Sequence, residues 1–409
     1  MKIFHGWRMV GAGAILQFLH AGLLMQSFGA YVAVLSEEKG WSKTALSGGA
    51  ALQSLEGALL GPALGWAMDR FGARAMIQVG IIAFGLGFMA LSQIDSVAGF
   101  YAAFVVIAIG VSLSGYFPLT VTLVHWFRRR RARALSMMGV GFALGGIAVP
   151  LVAWAMQTWG WRSTAFASGV VSIVIGLPLA RMMRRHPSEI GEVPDGIAAA
   201  ASEPVPAVDA PAAPPAERHF TAVEAMRTPA FWLLACGHSL AVLLVTAVNV
   251  HAISHMKEGL GYTVAQASFV ITMMMMAQGA GLLLGAAVGD RWNKRLIAGG
   301  CMIGHGVGVL MLTYAVHPAM LGAFAVIHGI SWGLRGPFMQ ALRADYFGVQ
   351  AIGMIMGVSA LVISVGQVGG PMIAGAFADA NGNYRTAFTV LALITMAGSL
   401  MFLLARKPK

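Results

Sequence analysis

A chain of 409 residues with 58% hydrophobic and only 11% charged residues departs from soluble domains, where about a quarter of residues are charged. The long polar faces that water-soluble helices need are absent, and nearly charge-free stretches of roughly 20 residues recur along the whole length, as membrane-spanning helices require. The formal charge of +11 comes from basic runs at the ends of those stretches, a placement that fits membrane loops and argues against nucleic-acid binding.

The first apolar run has no cleavage-site pattern and is too long for a secretory signal, so it opens the first of twelve predicted helices. In chain order these cover residues 9–35, 45–67, 75–93, 98–125, 133–156, 163–182, 229–255, 264–288, 295–315, 319–343, 349–377 and 385–405. With the N-terminus cytoplasmic, 21 of the 27 Lys and Arg fall on the cytoplasmic side, among them "RRRRAR" (128–133), "RMMRR" (181–185) and "DRWNKR" (290–295). Lys39, Lys43, Arg162, Lys257 and Arg385 lie outside, and Arg335 lies within the membrane. That asymmetry sets the orientation and puts both termini in the cytoplasm. Between the sixth and seventh helices, residues 186–219 are rich in Ala and Pro and lack periodicity, a composition that cannot bury enough surface to fold. The segment reads as a disordered linker dividing a six-helix bundle (1–185) from a second (220–409). Just beyond it, Thr221 and Glu224 have the spacing of a capping box. Cys236 and Cys301 lie in apolar runs without ligand spacing and read as core residues.

The halves repeat one another. "GWAMDRFGARAM" follows the second helix with Asp69, Arg70 and Arg74; "AAVGDRWNKRLI" follows the eighth with Asp290, Arg291 and Arg295 at the same spacing, 221 residues on. Asn293 stands where Gly72 stands, and Asn is the next residue after Gly to tolerate a left-handed turn. Pro118 and Pro337 are 219 apart, and Pro150 and Pro371 are 221 apart. Duplicated six-helix halves are expected of a transporter that rocks around a midplane site.

The pattern Gly65-x-x-x-Asp69-Arg70-x-Gly72-x-Arg74, with its weaker second copy, resembles the loop signature of the major facilitator superfamily along the whole chain. "GWSKTALS" (40–47), "HWFRRRRARALSMMGVGFALGG" (125–146), "WGWRSTAF" (159–166) and "AMRTPAFWLL" (225–234) resemble the branch of monocarboxylate transporters and oxalate/formate exchangers. The Gly-Pro pair that drug exporters of the family carry in the fifth span is missing. So is the charged eighth span common among relatives, since residues 264–288 hold no charge. The resemblance implies an all-α membrane protein of twelve transmembrane helices in two pseudo-symmetric six-helix bundles, with the tenth helix bordering a central cavity.

Against that frame Arg335, in "SWGLRGPF", is the residue most in need of explanation. It sits eight residues, or ~12 Å of helix, from Arg343 at the cytoplasmic end, and an arginine at a helix centre costs ~2.5–3.5 kcal/mol on insertion scales. The guanidinium keeps its charge, so an anion, carbonyl dipoles or water must compensate it. It is either a fork for a substrate carboxylate or half of an internal ion pair. Glu56, central in "LQSLEGALL", is the obvious internal partner. It would couple transport to protons, act as a fixed counter-ion to Arg335, or face a polar pocket between helices. In the first case the anionic cargo would displace Glu56 from Arg335.

Further candidates for substrate binding are Tyr116, which aligns with Arg335 under the 219-residue shift, His20 and Gln17 on the first span, Asn249 on the seventh and Gln367 on the eleventh. Each is equally a residue for helix–helix hydrogen bonding. His251 and His255 have a metal-ligand spacing, but no Glu follows the first as in a zinc-protease helix, so neither a metal nor a cofactor is expected. Asp69 and Asp290 are expected near neighbouring helix N-termini, with Arg70, Arg74, Arg291 and Arg295 pairing with acidic groups such as Asp345 or with lipid phosphate, so that the two loops act as a gate.

The function expected is secondary active transport, with no chemistry on the cargo, by a multi-pass monomer in a bacterial-type inner membrane. The cargo expected is a small organic anion, most simply a monocarboxylate moved with protons. Export of a drug-like or neutral solute, anion exchange, and a sensor without turnover remain the alternatives.

Overall fold

In hydrocarbon every backbone N–H and C=O must be paired within the protein, and apolar runs of this length satisfy that as helices. A computed structural model describes residues 4–196 and 219–408, and every regular element among them is helical. We label the long segments α1 (His5–Lys39), α2 (Lys43–Phe71), α3 (Ala73–Leu91), α4 (Val97–Trp126), α5 (131–159), α6 (161–182), α7 (Pro229–Gly259), α8 (Val264–Val288), α9 (Lys294–Thr313), α10 (Pro318–Phe347), α11 (Ile352–Asn381) and α12 (Arg385–Leu404). Among the described residues nine stretches are long and apolar enough to cross a membrane. One of them, Arg131–Met182, is α5 and α6 run together; α2 and α10 complete the twelve and carry Glu56 and Arg335 in their apolar parts.

The ends of these helices are written locally. Ser42, Ser96, Thr228 and Thr263 each accept a hydrogen bond from a first-turn amide, the usual work of an N-cap. Thr221 and Glu224 close the expected capping box on the short helix Ala222–Met226. α5 passes into α6 through Gly160 at φ 79° and ψ 154°, backbone that a residue with a Cβ resists. Gly115 interrupts α4 and leaves Tyr116 at the start of a fresh helical stretch. α1 carries a wider turn at Ala21–Met25.

Two expectations need correction. Asn293 does not take a left-handed turn: at φ −65° it caps α9, and its side chain accepts from the Arg295 amide. Its short polar side chain favours capping as readily as turning. The segment expected to be featureless from residue 186 instead forms two short turns, Pro187–Ile190 and Pro194–Gly196. Asp195, at φ 62°, accepts from three consecutive amides, Arg128 (3.2 Å), Arg129 (2.8 Å) and Arg130 (3.1 Å). Glu192 accepts from the His5 amide. Residues 187–196 therefore belong with the first bundle, held by carboxylates that composition alone gives no reason to single out. The remaining linker positions, 197–218, lie outside the described residues.

The bundles α1–α6 and α7–α12 meet mainly along α2 with α11 and α5 with α8. At the end carrying the basic runs one apolar cluster spans both, with Met68, Leu135 and Met138 of the first half against Phe338, Ile352 and Met356 of the second. The backbones of α2 and α11 touch there: a Cβ on Gly65 would lie 2.5 Å from the Gly353 carbonyl oxygen. Toward the opposite end each half keeps a cluster of its own, around Phe88, Phe100 and Trp161 in one and Leu244, Phe324 and Phe388 in the other. The interface is closed at the basic end, and the space between the halves forms the central cavity.

Candidate functional site

The central cavity has two adjoining chambers of about 490 and 320 Å³. Tyr116, His238, Gln340 and Met25 line both. Arg343 and Gln367 face the larger, and Arg335, Gln17, His20 and Gln278 the smaller. Among the described residues lining either chamber none is acidic. The walls thus present two guanidinium groups and no carboxylate, an arrangement suited to an anion.

Arg335 is 2% exposed. Its Nε donates to Nε2 of His305 at 3.3 Å, while its Nη1 is buried without a partner. A guanidinium so placed still offers a donor to a carboxylate. Glu56 is not its counter-ion: no ion pair between the two is found among the described residues, and Glu56 accepts from Ser112 Oγ at 2.8 Å. The Oε1 of Glu56 has no partner. The expected exchange, in which cargo displaces Glu56 from Arg335, has no ion pair from which to start. Hydropathy places Glu56 centrally along its helix but says nothing of its rotation about the helix axis, which turns it toward Ser112 of α4.

The other expected residues divide. Tyr116 enters the cavity because the break at Gly115 turns it there. His20 lines the smaller chamber with Nε2 3.1 Å from Ser114 Oγ and its ring edge-on to Phe84. Since the Ser114 hydroxyl donates to the Gly110 carbonyl, His20 Nε2 is the donor and its Nδ1 is left without a partner. Gln367 faces the larger chamber. Asn249 is exposed and lines neither. His251 and His255 donate to different carbonyls, Pro371 at 3.0 Å and Leu312 at 3.3 Å. No cluster of three potential metal ligands occurs among the described residues.

Sequence reasoning missed Arg343, assigned to the cytoplasmic end but 1% exposed and part of the cavity wall. It donates to Gln340 Oε1 at 3.0 Å and to His238 Nδ1 at 3.2 Å. The available signal was spacing: eight residues past Arg335 it lies only about 80° further round the same helix. His238, His305 and His328 were also missed, since a histidine in an apolar run reads as one more polar contact.

At the basic end the two repeated aspartates do the same thing. Asp69 accepts from the Met354 amide in the first turn of α11 (3.0 Å). Asp290 accepts from the Ala132 and Arg133 amides in the first turn of α5 (3.0 and 3.1 Å). Each half thus caps a helix of the other where the dipole favours an anion, and Met354 lies 221 residues after Arg133, as Asp290 does after Asp69. Burial raises the Asp290 carboxyl, in the loop between α8 and α9, above its ordinary value, opposed by these amides. Asp345 binds two cations, Arg131 and Lys294, neither of them among the four arginines expected to pair with acidic groups or lipid phosphate. Arg70 lies over the Trp66 and Phe71 rings, and Arg295 donates to the Phe402 and Leu403 carbonyls at the end of α12.

Residues 13–251 and 234–409 match the family model of the Major Facilitator Superfamily. The chain belongs to that superfamily. Among its relatives, monocarboxylate transporter 13 of Bos taurus is 25% identical over 411 residues, covering 96% of this chain and 88% of the relative. The fujikurins efflux protein of Gibberella fujikuroi is 26% identical over 359 residues, covering 85% and 70%. The crystal structure of the human organic anion transporter MFSD10 (TETRAN) superposes with a TM-score of 0.69 over 97% of this chain and 99% of that one. At 14% identity this last likeness speaks to the fold alone. This superfamily member is a multi-pass membrane protein whose relatives are transporters of the monocarboxylate type and efflux proteins.

Proposed function

We propose that this protein is a secondary active transporter that moves a small organic monocarboxylate with protons by alternating access. The observation that carries the reading is Arg335: a permanent cation in the cavity wall, buried, with no acidic partner among the described residues and one guanidinium nitrogen unpaired. A carboxylate supplies both the missing charge and the missing acceptors. Tyr116, His20 and Gln367 would complete the cargo's polar contacts, while Asp69, Asp290 and Asp345, with the basic groups around them, would hold the basic end shut and release it as the halves rock. The excess of basic residues at that end supports a cytoplasmic position for it and for both termini in an inner membrane.

Proteoliposomes loaded with labelled acetate, lactate and pyruvate, with and without an inward proton gradient, test cargo and coupling. Uptake of at least one acid, raised by the gradient, is expected. Replacing Arg335 by Gln removes a charge-assisted hydrogen bond worth about 1.5–3 kcal/mol, so uptake should fall roughly 10- to 150-fold. Full uptake by correctly inserted Arg335→Gln protein would remove this residue from the site. Export of a larger apolar acid is the second reading, supported by the efflux relative and by apolar wall residues such as Phe117 and Met356. It predicts that expression confers resistance to a compound rather than growth on an acid.

A further inference from the structure

Behind Arg335, away from the cavity, His305 of α9 and His328 of α10 are both fully buried. Their Nδ1 atoms are 3.3 Å apart, and their ring centroids 4.6 Å apart. Hydrogen bonding fixes the tautomers. Arg335 Nε is always a donor, so His305 Nε2, 3.3 Å from it, must present a lone pair. A neutral His305 then carries its proton on Nδ1 and donates it to His328 Nδ1. His328 in turn carries its own proton on Nε2, which has no partner. His328 Nδ1 also lies 3.5 Å from the His305 carbonyl oxygen, but a proton there would confront the His305 Nδ1–H at 3.3 Å. The unprotonated nitrogen left free of a ring partner is therefore His305 Nε2, which the guanidinium covers.

From this arrangement we infer that His305 is the proton-binding site coupled to the anion, with Arg335 as the interlock between them. Resting on the transport reading above, the inference specifies how the proton and the anion come to share one step. With the cavity empty, Arg335 blocks Nε2 sterically and by charge. When a carboxylate engages the guanidinium it draws Nε off His305 and neutralises the local positive charge. A proton then adds to His305 Nε2, giving an imidazolium that still donates through Nδ1 to His328. One negative and one positive charge have entered together, and loss of the anion returns Arg335 to Nε2 and expels the proton. The other titratable or charged groups around Arg335 are Cys301 of α9, Tyr116 of α4, and His238 and Arg343. None is a carboxylate, and the other imidazole among them, His238, already accepts at Nδ1 from Arg343. Gly306 and Gly329, next to the pair in sequence, pack against Met396 of α12 and against Met274 and Ala277 of α8, and the Phe324 ring lies 5.6 Å from that of His328.

The test uses whichever labelled acid of the panel is taken up by the unaltered protein. For one proton per monoanion, an inward gradient of one pH unit sustains about tenfold accumulation. His305→Gln should bring that to about onefold while exchange of labelled for unlabelled acid at equal pH persists. His328→Gln keeps an acceptor for His305 Nδ1–H and leaves Nε2 as the base, so it should retain most of the accumulation. A merely structural pair would lose exchange in both variants together. Glu56→Gln should keep accumulation. Should His305→Gln fail to insert, proton uptake on acid binding by purified Glu56→Gln protein in weak buffer gives the answer. About one proton per acid supports the site, and none overturns it. Gradient-driven accumulation by His305→Gln also overturns it and leaves the transport reading standing. A panel with no uptake at all overturns both.

Discussion

The two buried arginines differ in what they would cost to remove. Arg343 has two side-chain partners, His238 and Gln340; Arg335 has a single long contact to His305. Leaving buried polar groups unmatched costs about 1–3 kcal/mol. Arg343→Gln should therefore lower the melting temperature of the purified protein more than Arg335→Gln does, while uptake is hurt in the reverse order. A thermal melt and an uptake assay on the same preparations check both rankings. Arg335 was legible in the sequence because a charge in an apolar run stands out at any rotation. Arg343 was not, because its distance from the apolar run suggested a helix end, whereas α10 continues to Phe347 and turns that side chain inward. Tyr116 was legible through the repeat. The histidine pair depends on how α9 packs on α10, information carried by neither helix alone.

At the scale of helices, the capping of α11 by Asp69 and of α5 by Asp290 is the part of the proposed gate most nearly written in the sequence. The repeated Asp announced the anion, and helix N-termini were its natural partners. Removing an N-cap carboxylate costs about 0.5–2 kcal/mol, so Asp69→Ala should enlarge the population open at the basic end. Spin-label distances across that end would report it. The pH dependence has a definite sign. Burial raises Asp290 in the closed arrangement; water entering an opened end would return it toward its ordinary value. Protons then bind more tightly to the closed form, and lowering pH from neutral through the raised range favours closure. Asp290→Asn should flatten that dependence. The twelve segments and their order were legible from hydropathy, whereas the wider turn in α1 and the passage of α5 into α6 through Gly160 were not, since both follow from packing against neighbours.

For the whole molecule, the shared apolar cluster at one end and the separate clusters toward the other leave a cavity approached from the end away from the basic runs. A cysteine at Gln367, in a background with Cys236 and Cys301 replaced by Ser, should react with a membrane-impermeant thiol reagent from that side. A transported acid should slow the reaction. Equal labelling from both sides would contradict the closed basic end. The division into two similar halves could be read from paired spacings 219 and 221 residues apart. The side on which they part could not, because one sequence serves every position in the cycle.

Asp195 bears on how such a cycle would reverse. Its carboxylate holds the Arg128–Arg130 amides from within the first bundle, one turn before the amides that Asp290 takes from the second. Were the second bundle to swing away as alternating access proposes, the loop would stay folded as a ready socket. Re-seating then needs no fresh ordering of backbone, which would otherwise cost about 1–2 kcal/mol for each residue fixed. Under the proposed cycle the two halves would part and rejoin on a preformed joint.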